Sequence, residues 1–138
     1  MKYFIHFYYG NRKEAFYTAL GTAIRAKGHS LAVKFFLIDK QYQWITHLKK
    51  IFSFAINILN LTDLKKGYNF RNNITGLRDT FLVIANIDLL LEEEIVKIDE
   101  LISLLSILST DNEIIVTSLS YLQKIADLAD YVSFFSVN

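Results

Sequence analysis

The sequence predicts an α/β fold: one three-layer domain over residues 1–138, with a mainly parallel sheet of about five strands flanked by helices. Its short apolar runs lack polar alternation, which is typical of strands buried on both faces of a parallel sheet. Between them lie segments whose apolar residues recur at three- and four-residue steps, the period of amphipathic helices. A chain of 138 residues, 52% of them hydrophobic, can bury such a core.

The first strand is predicted over residues 3–9, an apolar run broken only by His6. Asn11 is a suitable N-cap for a helix that runs to about Lys27, and Gly28 is a suitable stop. Four apolar residues fall on one face of this helix and are expected to face the core: Phe16, Leu20, Ala23 and Ile24.

The middle of the chain predicts a second strand over residues 31–38 and an amphipathic helix over residues 41–61. Residues 62–79 are polar and rich in Asn, Lys and Gly, which predicts an irregular connection. The remaining elements are a strand over 80–84, a helix over 92–108, a strand over 113–117, a helix over 120–128 and a strand over 131–137.

The composition narrows the classes of partner. Charged residues make up 21% of the chain and the formal net charge is +1, so nothing electrostatic favours nucleic acid. The absence of cysteine excludes disulfides, thiolate metal sites and a cysteine nucleophile. His6, His29 and His47 lack the spacing of a metal site, and we assign no metal-binding residues.

The N-terminal run, residues 1–9, is apolar and carries one lysine, as a signal peptide does. It is short, aromatic rather than leucine-rich, and has no small-residue cleavage site. No apolar run reaches the roughly 18 residues expected of a membrane span. The sequence therefore predicts a soluble, cytoplasmic protein that does not engage a membrane.

Ligands of parallel α/β folds bind beyond the carboxyl ends of the strands. This rule places residues 10–16, 85–88 and 117–120 around one rim. Residues 10–21 read Gly-Asn-Arg-Lys-Glu-Ala-Phe-Tyr-Thr-Ala-Leu-Gly, between the first strand and the first helix. A phosphate-binding loop would stand at this position.

This segment resembles the block G-[DN]-G-K-G-K-T-T-A-A-x-G of the P-loop-type ATP:corrinoid adenosyltransferases. The match continues into the helix without a gap, at Gly10, Asn11, Lys13, Ala19, Leu20, Gly21, Ala23, Arg25, Ala26 and Gly28. The family's later block, strand-T-G-R-N-A-P-E-E-L-I-E-x-A-D-L-V-T, is matched at Thr117, Ala129, Asp130 and Val132. The resemblance implies a P-loop NTPase-like fold, a homodimer, and ATP, Mg²⁺ and a corrinoid as ligands.

The residues that handle phosphate in the family are replaced. Its loop lysine and threonine align with Ala15 and Phe16, and two of its loop glycines align with Arg12 and Glu14. A carboxylate repels a triphosphate, a benzyl group cannot ligate magnesium, and added Cβ atoms keep the backbone away from phosphate. These changes argue against ATP binding in the usual pose.

The other corners of the site are altered as well. The family's acidic pair after the third strand aligns with Ala85 and Asn86, and its arginine after the fourth strand aligns with Leu119. The middle of the chain and its C-terminal tail, which would shape the corrinoid side, are shorter than in the family. The chain is therefore identified as a degenerate member.

Gly10, Asn11, Arg12 and Lys13 are the candidates for nucleotide or anion binding, because the dipole of the following helix favours anions at its N-terminus. The alternative interpretation is that Arg12 and Lys13 are two solvated cations of the first helical turn. No residue is assigned a catalytic role.

The rim candidates are Asn86, Asp88, Thr117 and Ser118. Asp88 stands two places past the family's glutamate, so it replaces that acid only if a bulge re-aims the strand end. The simpler role for Asp88 is an N-cap. Thr117 and Ser118 either contact a ligand or cap the turn that follows their strand.

The leading hypothesis is a corrinoid adenosyltransferase-like protein, catalytically silent or weak, that retains its fold to bind a ligand or a protein partner. One alternative is an active ATP:cob(I)alamin adenosyltransferase with a remodelled loop, using Lys13 for phosphate charge and Asp88 as the acid. Another is a structural or assembly subunit, which the eight tyrosines favour because tyrosine is enriched in interfaces.

Overall fold

A computed structural model describes residues 3–40, 56–65 and 70–136, which form six strands and six helices. The strands are β1 (Ile5–Gly10), β2 (Ala32–Asp39), β3 (Ile56–Asn60), β4 (Thr80–Ala85), β5 (Asn112–Ser118) and β6 (Tyr131–Phe135). The helices are α1 (Arg12–Gly28), α2 (Leu61–Lys65), α3 (Phe70–Ile74), α4 (Ile87–Glu92), α5 (Ile98–Leu108) and α6 (Gln123–Leu128).

The strands form one sheet in the order β3-β2-β4-β5-β1-β6, and every pairing is parallel. This confirms the α/β class and the parallel sheet, with one strand more than predicted. All six residues of β4 are buried, as the unbroken apolar run at residues 80–84 predicts for a central strand.

Helices cover both faces of the sheet and produce three layers. The helix α1 packs on one face, where Phe16, Leu20 and Ala23 meet side chains such as Phe35 and Val83. The helices α4, α5 and α6 belong to the core on the opposite face. The chain thus leaves β1 on one face and its neighbour β5 on the other, which opens a crevice at their carboxyl ends.

The helix α1 begins and ends close to the predicted positions. Asn11 is its N-cap, with Oδ1 accepting the backbone N–H of Glu14 at 3.1 Å. Gly28 is its last residue, but the left-handed residue that turns the chain is Ser30, at φ 64°. Of the four apolar side chains expected to face the core, Ile24 is 43% exposed instead.

The predicted helix over residues 41–61 is wrong at its C-terminal part, because residues 56–60 form the strand β3. Residues 41–55 lie outside the described part of the chain. The strand β3 pairs with β2, with Phe35 opposite Ile56 and Asp39 opposite Asn60. An apolar run this short fits a helix or a strand equally well, and the sheet edge offered by β2 decides between them.

Two other segments differ from the prediction. The connection over residues 62–79 is not wholly irregular, since it contains most of α2 and all of α3; its residues 66–69 are outside the described ranges. The helix predicted over 92–108 begins only at Ile98, as α5; the unpredicted helix α4 precedes it and ends at Glu92, and the bend between the two contains Glu94 with φ 56°. Near the C-terminus, α6 begins at Gln123 rather than Ser120.

Within the described ranges, no helix has the length and apolar character needed to cross a membrane.

Candidate functional site

Three strand ends form the rim that the sequence predicts. Gly10 ends β1, Ala85 ends β4 just before Asn86, and Ser118 ends β5. Because β5 lies between β1 and β4, the loops that follow these strands are neighbours. The eight candidate residues therefore lie together at the carboxyl-terminal end of the sheet.

Gly10 is held against the neighbouring edge strand. Its φ of 111° lies in the region that favours glycine, and a Cβ at this position would overlap the carbonyl oxygen of Phe135. That carbonyl accepts the backbone N–H of Asn11 at 2.8 Å. The strand β6 therefore occupies the space beside the end of β1, and it uses an N–H that a phosphate-binding loop would turn towards its ligand.

The connection between β1 and α1 is a single residue, Asn11. Arg12, Lys13 and Glu14 already belong to the first turn of α1, and Ala15 and Phe16 are buried in its inner face. The ring of Phe16 packs edge-to-face against Phe35, with 5.6 Å between centroids. Residues 12–16 thus form helix, where a P-loop would use several residues to wrap phosphate.

Arg12 and Asp88 form a bidentate ion pair across the rim. Nη2 of Arg12 lies 2.6 Å from Oδ2 of Asp88, and Nη1 donates to Oδ1 at 3.2 Å. The Asp88 side chain is 2% exposed and that of Arg12 is 32% exposed. Arg12 is therefore not a solvated cation, whereas Lys13 is exposed as expected.

Asp88 is not an N-cap, because it lies in the first turn of α4 and Asn86 occupies the capping position. Its carboxylate reaches the rim from this turn, without a bulge in β4. A buried carboxylate with a paired guanidinium is a neutralised site, and both oxygens already have charge-assisted hydrogen bonds.

Asn86 connects three strand ends. Its backbone N–H donates to Oγ1 of Thr117 at 2.9 Å, and its Nδ2 donates to the carbonyl of Ile38 at 2.9 Å. Asn86 is 5% exposed and left-handed, with φ 68°, a conformation that asparagine tolerates better than most residues. Its Oδ1 is buried and accepts no hydrogen bond from the described residues.

Thr117 and Ser118 are both 1% exposed. Thr117 serves the backbone of Asn86, as described above. The Ser118 hydroxyl donates to the carbonyl of Ser120 at 2.8 Å and accepts its N–H at 3.2 Å, so it caps the turn after β5. Neither hydroxyl is presented to solvent at the rim.

A cleft of about 350 Å³ opens beside the Arg12–Asp88 pair, on the α1 face of the sheet. It combines an aromatic and aliphatic wall with groups of both charges. Its lining residues are Arg12, Lys13, Phe16, Tyr17, Leu37, Asp39 and Asn86. The cleft therefore suits a small molecule with an apolar body and polar substituents.

A second charged group lies near the end of α4. Oε2 of Glu93 lies 2.6 Å from Nζ of Lys65, and Oε1 of Glu93 lies 3.9 Å from Nζ of Lys40, the residue that directly follows β2. The hydrogen bond and charge of Lys65 lower the pKa of Glu93 below its ordinary value, with a smaller effect from Lys40. In the described ranges, no group of three or more His, Asp or Glu side chains is arranged to hold a metal ion.

Sequence reasoning did not identify β6 as the strand beside Gly10, nor Tyr17 and Asp39 as lining residues of the cleft. Gly10 carried a signal for this neighbour, since a glycine in a strand often marks the close approach of another backbone. Nothing in the sequence links Tyr17 to Asp39, because the cleft arises only when α1 folds over the end of β2.

The chain matches no model of a known protein family, and no curated protein matches it.

Proposed function

We propose that this protein is a degenerate, corrinoid adenosyltransferase-like member of the P-loop NTPase-like folds, catalytically silent or weak, which binds a small ligand or a partner at its rim. The observation that carries the proposal is the bidentate pair between Arg12 and Asp88. In P-loop enzymes a lysine neutralises phosphate and an acid helps to hold Mg²⁺. Here the cation at the rim, Arg12, is already paired with the acid at the rim, Asp88.

The pair opposes metal binding at Asp88. A magnesium ion would have to displace a guanidinium that donates to both carboxylate oxygens, in a place where the carboxylate is almost fully buried. Removing one partner of such a pair leaves an uncompensated charge, which is strongly unfavourable. The alternative of an active enzyme that uses Asp88 as its acid therefore needs Arg12 to swing away.

The short connection before α1 opposes phosphate binding in the usual pose. Asn11 already donates its N–H to Phe135, and the next residues are helical. The loop cannot wrap phosphate without unwinding the first turn of α1. The exposed Lys13 supports at most weak attraction of an anion to the helix N-terminus.

Calorimetric titration with MgATP tests this proposal. We expect no saturable binding by the wild-type protein and no difference on Lys13→Ala substitution. Micromolar affinity that disappears in the Lys13→Ala variant would refute the proposal.

Absorbance of reduced cobalamin mixed with ATP and the protein tests the active alternative, which requires adenosylcobalamin to form.

The cleft beside Arg12 favours small-ligand binding as the retained function. Asn86, one of its lining residues, carries a buried acceptor with no donor among the described residues, and a ligand with an N–H or O–H group would pair with this oxygen once the side chain turned towards the cleft. Amide chemical shifts recorded with adenosine, and separately with inorganic phosphate, test the cleft. We expect changes at Tyr17 and Asn86 with adenosine, and their loss in Tyr17→Ala.

We further propose that the protein acts in the cytoplasm. We also propose that it does not bind nucleic acid, since its net charge of +1 provides little attraction for phosphates. A role as an assembly subunit is supported by aromatic side chains exposed on β6. Purification from its source, followed by identification of whatever travels with it, tests for a protein partner.

A further inference from the structure

The strand β6 forms one outer edge of the sheet. It pairs with β1, and no described strand lies on its other side. Phe135 turns its carbonyl towards β1, as its bond to Asn11 shows. Backbone groups of successive residues in a strand point in alternating directions, so those of Val132 and Phe134 point away from the sheet.

The side chains of this edge are apolar and exposed. Tyr131 is 52% exposed, Val132 44% and Phe134 62%. The strand has no charged residue and no proline, the features by which proteins protect exposed edges. At the opposite edge, no residue of β3 is exposed to a comparable degree.

Neighbouring rings hold the exposed side chains in place. Phe134 lies against Tyr9, with 5.1 Å between ring centroids, and Tyr9 lies at the same distance from Tyr121. On the other face, Tyr131 stacks on His6 at 5.2 Å. Since packing already restricts these rings, little conformational entropy remains to be lost on binding.

We propose that β6 pairs with β6 of a second copy of this chain, in an antiparallel arrangement centred on Ser133. A two-fold axis brings the same edge of both copies together and makes the two strands antiparallel. In this register Val132 of one copy lies opposite Phe134 of the other. Their outward backbone groups then exchange both hydrogen bonds, while Ser133 lies opposite Ser133 in a non-bonded pair.

The sequence of β6 suits a second copy better than a charged partner. Every cross-strand pair in this register is apolar or aromatic except the central pair of small serines, and no like charges meet. The strand has five residues, so the interface lies at the small end of specific interfaces, below about 1,200 Å². The dimer is therefore expected to dissociate on dilution. This inference is independent of any ligand at the rim.

Sedimentation velocity over a range of concentrations tests the dimer. The wild-type protein should shift from monomer to dimer as concentration rises, whereas V132K/F134K and V132E/F134E should each remain monomeric. An equimolar mixture of these two variants should form a heterodimer, because each lysine then faces a glutamate. Ile107→Lys, on an exposed position of α5, should leave the wild-type dimer unchanged.

Cross-linking tests the register. Because the chain has no cysteine, Ser133→Cys introduces a single thiol, and the two copies should form an intermolecular disulfide on mild oxidation. Ser103→Cys, on the exposed side of α5, should not. Circular dichroism of each variant checks the fold. A wild-type protein that stays monomeric at every concentration, or a charged mixture that fails to associate, would overturn the proposal.

Discussion

The guanidinium of Arg12 and the carboxylate of Asp88 join the first turn of α1 to the first turn of α4 through two hydrogen bonds of 2.6 and 3.2 Å. The two residues are 76 positions apart in the chain and reach each other past the end of β5. The pair closes the rim and also links helices that lie on opposite faces of the sheet.

Replacing Arg12 with alanine should lower the free energy of unfolding by about 2 kcal/mol, because the buried carboxylate of Asp88 loses its counter-charge. The value is below that for a fully buried pair, since Arg12 is about one-third exposed. Urea unfolding of Arg12→Ala, Asp88→Asn and the double variant measures the coupling. Lys13→Ala, at the adjacent exposed position, should change stability by less than about 0.5 kcal/mol. Equal effects of Arg12→Ala and Lys13→Ala would contradict the role assigned to the pair.

Gly10 and Gly21 should respond to alanine in opposite directions. Gly10→Ala should cost more than about 3 kcal/mol, because it combines a positive φ with a Cβ placed against the Phe135 carbonyl. Gly21 lies inside α1 with nothing within 4 Å of its added Cβ, so Gly21→Ala should stabilise by about 0.5–1 kcal/mol. Thermal unfolding of both variants provides the comparison. A mild effect at Gly10 would mean that β6 moves easily.

Substituting Asn86 separates backbone conformation from hydrogen bonding. Asn86→Gly removes the hydrogen bond to Ile38 but keeps easy access to the left-handed region. Asn86→Ala removes the same hydrogen bond and also makes the left-handed conformation unfavourable. We expect Asn86→Ala to be less stable than Asn86→Gly by about 1 kcal/mol, and both to be less stable than wild type. Chemical denaturation of the three proteins measures these differences, and the reverse order would exclude backbone strain at this residue.

Alkaline pH should destabilise the fold partly through Tyr8. Burial raises the pKa of its hydroxyl above the ordinary 10.0, although Thr22 and Arg25 act in the opposite direction. The neutral phenol is thus favoured in the folded state. Its contribution to stability is complete below the unfolded pKa and is lost as pH rises through the folded pKa.

Urea unfolding of Tyr8→Phe at a series of alkaline pH values checks this expectation. The decline in stability with pH should be shallower than in wild type. Part of the decline should remain, since a hydrogen bond to Asp79 raises the pKa of Tyr3 as well. Identical slopes in the two proteins would rule out a contribution from Tyr8.

The sequence predicts most of the sheet because five of its strands are apolar runs or end in clear turn and capping residues. The strand β3 could not be recognised, since Ile58 and Leu59 continue a helical spacing and only pairing with β2 makes this segment a strand. The non-helical residues 93–97, at the start of the helix predicted over 92–108, could not be recognised either. The chain has no proline, and the left-handed residue there is Glu94, which carries no sequence signal for a break.

The rim was located from the sequence, but its chemistry was not. The alternation of strands and helices predicts a parallel sheet but not the order of its strands. The closeness of Arg12 and Asp88 therefore could not be predicted from their separation of 76 positions in the sequence. The position of Gly10 at a strand end was visible, whereas its neighbour Phe135 comes from the far end of the chain. Long-range pairs of this kind depend on the order of strands in the sheet, which local patterns leave open.

The single-residue connection between β1 and α1 has a kinetic consequence. Many enzymes of phosphate chemistry close a mobile loop over the substrate, and that closure becomes a separate step in binding. With Asn11 alone between a strand and a capped helix, the connection from β1 to α1 is too short to close over a ligand. Molecules that dock against it meet a preformed surface, so their observed association rate should rise in proportion to concentration without reaching a plateau.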